Sequence, residues 1–146
     1  MVELGPSMKP MVMPHYPHML AEDVFVWSKF LEAHAKDITE VWYDVKVGTP
    51  MPLPMDATEL QRVVAMGVSR KRIDVVARSG GQILVIEVKP FGNMVALGQA
   101  LAYARLFASE YDVGWPVMPC VVCGMVDPDL VADFKVNGVV TFEVGS

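Results

Sequence analysis

The chain predicts an α/β fold: a mixed central sheet flanked by helices. Three observations carry this. Residues Arg72–Lys89 read as an antiparallel hairpin, because Ile73, Val75 and Ala77 alternate with Arg72, Asp74 and Arg78 and are followed, past Gly80–Gly81, by the β-branched run Ile83–Lys89. A helical stretch, Met94–Ser109, then separates that run from a second apolar strand, Val117–Cys123, and a strand–helix–strand succession implies a right-handed crossover between parallel strands. The length, 146 residues, suits one domain with a real core.

Residues 1–19 hold four Pro and five Met without periodicity, so they form an extended arm rather than a core element, and residues 20–146 form the single domain. Pro14 and Pro17 argue against a helix that would pair His15 with His18 as metal ligands. Leu20–His34 is an amphipathic helix whose stripe is Val24, Trp27, Leu31 and His34, widened by Phe30. Glu22 and Asp23 suit its positive end. Glu40–Val47 alternates as a strand, with Val41, Tyr43, Val45 and Val47 on one face. Residues 48–55 are a Pro-rich loop. Asp56 with Glu59 makes a capping box for a helix ending at Gly67, and Ser69–Arg72 lead into the hairpin.

A two-residue turn at Gly80–Gly81 sets the hairpin register: Ser79 faces Gln82, Arg78 faces Ile83 and, further out, Asp74 faces Glu87. Opposed side chains lie about 5 Å apart. Glu87 and Lys89 share a face, so two carboxylates and an ammonium converge at one end of an apolar hairpin. Buried like charges repel, and a divalent cation with oxygen ligands resolves the conflict. The competing explanation is a cross-strand charge ladder that joins Asp74 and Glu87 to Arg72, Arg78 and Lys89.

Pro90–Phe91–Gly92 breaks the strand, and Asn93 caps the next helix, whose Leu97, Leu101, Ala104 and Ala108 face the sheet. Gln99 and Tyr103 lie one turn apart on its flank. Cys120 and Cys123 point to opposite faces of a strand, and with no second Cys pair they do not make a zinc ribbon. Asp127–Pro128 starts a short helix, and Asn137–Gly138 turns into a last strand, Val139–Val144.

Net charge is −5, but it is unevenly spread. Residues 62–105 carry seven basic side chains and only two acidic ones, Asp74 and Glu87. A basic surface built by Arg70, Lys71, Arg72, Arg78 and Arg105 around that carboxylate pair would attract a polyanion, unless the acidic flanks neutralise it within the fold. The apolar fraction of 53% suggests that a further subunit or a larger assembly covers part of the surface, with the arm as a contact. No apolar run approaches the ~20 residues of a membrane span, and a cytoplasmic setting is expected.

The order helix–strand–strand–strand–helix–strand, with Ile73–Asp74 on one strand and Glu87–Val88–Lys89 on the next, resembles the PD-(D/E)XK nuclease superfamily and its restriction-endonuclease-like αβββαβ core. Gln99–Ala100–Leu101–Ala102–Tyr103 is similar to the Gln-x-x-x-Tyr motif of the RecB-like branch. The resemblance spans about residues 20–124, and Ile73 stands where the motif has Pro. It implies a metal-dependent nuclease that hydrolyses DNA phosphodiester bonds. Asp74, Glu87 and the Val88 carbonyl would hold Mg²⁺ (or Mn²⁺). Lys89 would position the water and stabilise the phosphate, and Gln99 and Tyr103 would line the DNA-facing side. A further acid from the first helix, Glu22 or Glu32, would complete the set. The alternative is a catalytically silent module of the same fold in a larger assembly, virion-associated if phage-encoded, which the Met/Pro arm and acidic total suit.

Overall fold

A computed structural model describes residues 1–50, 52–68 and 70–145, without the side chains of 66–68. Met51 of the Pro-rich loop and Ser69 before the hairpin lie outside the described residues. Five strands, β1 (Glu40–Val47), β2 (Lys71–Ser79), β3 (Gln82–Gly92), β4 (Val117–Val126) and β5 (Val140–Glu143), form one mixed sheet in the order β1-β2-β3-β4-β5. The first three are antiparallel neighbours, and β3, β4 and β5 run parallel. Helices α1 (Ala21–His34) and α3 (Met94–Glu110) flank the sheet, while α2 (Glu59–Val68) and α4 (Val131–Val136) are shorter. No described helix is long and apolar enough to cross a membrane.

On one face, Trp27, Phe30 and Leu31 of α1 pack on Val75, Ile86, Val88, Cys120 and Val122. Trp27 is fully buried, and its indole N–H donates to the Tyr43 hydroxyl at 3.0 Å, so the core satisfies its one polar atom. Val26 is buried with them, whereas the expected Val24 is half-buried. On the other face, α3 presents small residues. Ala96, Ala100, Ala104 and Phe107 are buried; Leu97 and Leu101 are half-buried, and Ala108 is exposed. The apolar stripe expected on this helix is therefore displaced by about one residue. Alanines on the inner line let the helix sit close to the sheet, and its leucines fill the sides.

Three other expectations shift. Asp56 does not cap α2: Thr58 and Gln61 form the reciprocal box, with Gln61 N–H donating to Thr58 Oγ1 at 3.1 Å and Thr58 N–H to Gln61 Oε1 at 2.9 Å. The helix also runs through Gly67 to Val68. Pro90 does not end β3, which continues to Gly92 beside β4. Proline is tolerated there because pairing with β2 has already stopped, so its missing N–H costs no rung.

The arm is pinned to its own chain. Val2 bridges Tyr111, Met8 bridges Val41, and the Trp42 indole donates to the Gly5 carbonyl at 2.7 Å. Tyr16 is buried in the α1 cluster, with its hydroxyl 2.8 Å from Ser28 Oγ.

Strands β1 and β2 change faces together. Val41 and Tyr43 pack with α1, but Val45 and Val47 pack with Ala104 and Phe107 of α3, so the four do not share the single face their alternation suggests. In β2, Val75 and Ala77 lie with α1 and Ile73 with α3. The switch occurs at Asp44, in the left-handed region at φ 55°, and at Asp74, where the ladder skips a pair between Tyr43–Val75 and Val45–Ile73.

Candidate active site

The β2–β3 ladder follows the register that Gly80–Gly81 sets, Ser79 to Gln82 and Arg78 to Ile83, but its last rung is Val75 to Ile86. At the next position Asp74 replaces the backbone rung: its Oδ2 accepts the Val88 N–H at 2.9 Å. The strands separate here, and Asp74, Glu87 and Lys89 gather at the opening.

Glu87 is the one buried charged residue among those described, 2% exposed. Its Oε1 has no hydrogen-bond partner. Burial pushes its carboxyl well above the usual range, the Asp74 charge adds to this, and Lys89 opposes it. Asp74 is also raised, first by burial, against the Val88 N–H and the Lys89 ammonium. The two carboxyl groups are close enough for each to shift the other, and the rise is the greater at Glu87, so a proton is favoured there. A buried carboxyl pair that favours a proton can hold a cation in its place.

From α3, the Gln99 side chain lies close enough to the Tyr103 hydroxyl to favour its ionised form, while Gln99 Oε1 is buried without a partner. Burial raises the Tyr103 hydroxyl, followed by the charges of Glu87 and Asp74, so both residues of the helix pair stand beside the carboxylates. From α1 the acid that reaches the site is Asp23. Its carboxyl is raised by burial and then by Asp74, and lowered by Lys89. Glu22 instead lines a cavity of about 770 Å³ with Phe25, Met125 and Glu143, and Glu32 is exposed. Asp23 had a sequence signal: it lies three and four residues before Val26 and Trp27, on the buried stripe. Among the described residues no group of three or more His, Cys, Asp or Glu is disposed to hold a metal.

The basic residues divide. Arg70 pairs with Glu110 at 2.8 Å and donates to the Gly48 carbonyl at 2.8 Å. Arg72 pairs with Asp44 at 3.2 Å, and Arg78 pairs with Glu40 at 3.1 Å beneath Trp115. All three acids come from the acidic flanks, so each of these arginines has a carboxylate beside it. Lys71 and Arg105 are exposed.

No protein-family model matches the chain, and no curated protein matches it significantly. A solved structure described as a protein of unknown function, AF1548, is similar to it with a TM-score of 0.48 and 15% identity, covering 82% of this chain. The match takes in 54% of that protein, so this chain spans about half the length of the structure it is similar to.

Proposed function

We propose that the chain is a divalent-metal-dependent deoxyribonuclease with a restriction-endonuclease-like core. The observation that carries this is Glu87: a 2%-exposed carboxylate, with one oxygen unpartnered, held against a second carboxylate and beside a lysine. A charge ladder would place its carboxylates on cations at the surface, whereas Arg72 and Arg78 are engaged by Asp44 and Glu40 instead.

The residues fit a hard cation. Asp74 is oriented through Oδ2 by the Val88 N–H, Glu87 offers Oε1, and the Val88 carbonyl is the third oxygen expected there. Mg²⁺ or Mn²⁺ bound there would supply Lewis-acid polarisation of the phosphate and a bound water more acidic than bulk water. Lys89 contributes a fixed positive charge where the attacked phosphate gains negative charge. Gln99 and Tyr103 hold the α3 side of the opening, and Asp23 adds a carboxylate from α1.

The test is cleavage of supercoiled, linear and single-stranded DNA with Mg²⁺ or Mn²⁺, beside Glu87→Ala and Lys89→Ala. Cleavage by the wild type, lost in both folded variants, supports the assignment. A folded wild type inert on all three substrates with either metal would sink it and leave the silent-module reading.

A further inference from the structure

Two non-glycine residues among those described have positive φ, His18 at 60 and Asp44 at 55. They come from different segments, yet both contact the same guanidinium. Arg72 Nη1 lies 3.0 Å from His18 Nδ1 and 3.2 Å from Nε2, and Arg72 Nε lies 3.2 Å from Asp44 Oδ1. Non-glycine residues persist in that region where their surroundings fix them, and such positions gather at binding and catalytic sites.

The surroundings are visible here. Tyr16, two residues before His18, is locked in the core, and α1 starts at Ala21 just after it. Arg72 is two residues before Asp74 on β2. The Asp44 contact lacks hydrogen-bond geometry, since neither Asp44 Oδ1 nor Arg72 Nε has a partner in that sense. Asp44 therefore orients the guanidinium without using its donors. The result is an imidazole and a guanidinium side by side, His18 exposed and Arg72 partly so. His18 is close enough to Asp74 to act on it electrostatically.

We propose that His18 and Arg72 form a phosphate clamp for the substrate strand, holding a backbone phosphate next to the one attacked. The clamp rests on the nuclease reading and gives the arm a role in it: it delivers a histidine to the active centre. With one imidazole nitrogen accepting from Arg72 Nη1, the other can donate, and an arginine fork beside that imidazole N–H matches the oxygens of a phosphodiester.

The experiment measures binding of labelled single-stranded and duplex oligonucleotides, without metal so that the strand stays intact. The same strands are also prepared with one phosphate at a time replaced by a neutral methylphosphonate. Variants are His18→Asn, which tolerates the left-handed backbone, and Arg72→Gln. Each is expected to weaken binding about tenfold, as for loss of one charge-assisted hydrogen bond. Each should also lower the salt slope by about 0.7–0.9, the share of one phosphate. One methylphosphonate position should weaken wild-type binding and not that of the variants. If the wild type binds and cleaves DNA but His18→Asn leaves affinity, slope and methylphosphonate profile unchanged, the clamp is overturned and the nuclease reading stands. If the folded wild type binds none of the oligonucleotides, both fall.

Discussion

Asp74 Oδ2 accepts the Val88 N–H at 2.9 Å, so a side chain replaces the backbone rung that would otherwise continue the β2–β3 ladder. One carboxylate both closes the sheet at this level and opens the site. Asp74→Asn keeps an acceptor for Val88 and removes the charge, whereas Asp74→Ala leaves that buried N–H unpaired. Urea unfolding without metal should find the alanine variant less stable than the asparagine variant by about 1–3 kcal/mol. Both should be inactive with Mg²⁺. Equal stability would mean that the bond contributes nothing.

Acid should stabilise the metal-free protein at this site. Asp74 and Glu87 titrate above their ordinary values of 3.8 and 4.5 in the folded chain. The native state thus keeps protons that the unfolded chain has released. Their contribution is full below those ordinary values and is lost as pH rises through the raised ones. Melting temperature without metal should fall over that window, and Glu87→Gln should flatten the fall. Added Mg²⁺ should restore stability most at high pH, where no proton competes for the oxygens. A metal-free melting curve that is the same in wild type and Glu87→Gln would refute this account.

Asp23, not Glu22 or Glu32, should matter to the site. Asp23→Asn should raise the Mg²⁺ concentration needed for half-maximal cleavage by about tenfold, in line with loss of a partner around the ligands. Glu22→Gln and Glu32→Gln should leave it unchanged. Metal titrations of the three variants decide the matter.

Gly124 is required by a close backbone approach. A Cβ there would lie 2.7 Å from the Pro90 carbonyl oxygen, in the residue that follows Lys89. Gly124→Ala should cost about 1–3 kcal/mol, the usual range for overpacking. By pushing β3 aside it should also reduce cleavage more than the stability loss explains. An alanine variant with wild-type stability and activity would show that the strands can part there freely.

The hairpin was legible because short-range rules govern it. Its alternation and its glycine pair fix a register, which the structure follows as far as Val75 and Ile86. Asn93 was equally readable: its side chain accepts the Ala96 N–H at 3.0 Å, a bond between near neighbours in sequence. What was not legible depends on partners distant in the chain. The face exchange at Asp44 and Asp74 interrupts a perfect alternation of Val and Tyr, and nothing in β1 alone announces it. The arm read as an extended segment outside the core because its partners, Val41 and Tyr111, lie far along the chain. Asp23 was passed over for Glu22 and Glu32 because the true stripe of α1 includes Val26, which turns the helix slightly from the heptad reading.

The bridge between Val2 and Tyr111 has a consequence for how the chain assembles. Val2 finds its partner only after all of α3 has been made. Without Met8 beside Val41, the outer edge of β1 has its backbone open to pairing with another chain. The Val2 end of the arm therefore docks after the Met8 end can, as a clasp beside α3. Contacts so distant in sequence are slow to close. Amide exchange at Val41 should accordingly report the docking of the arm rather than the melting of the sheet.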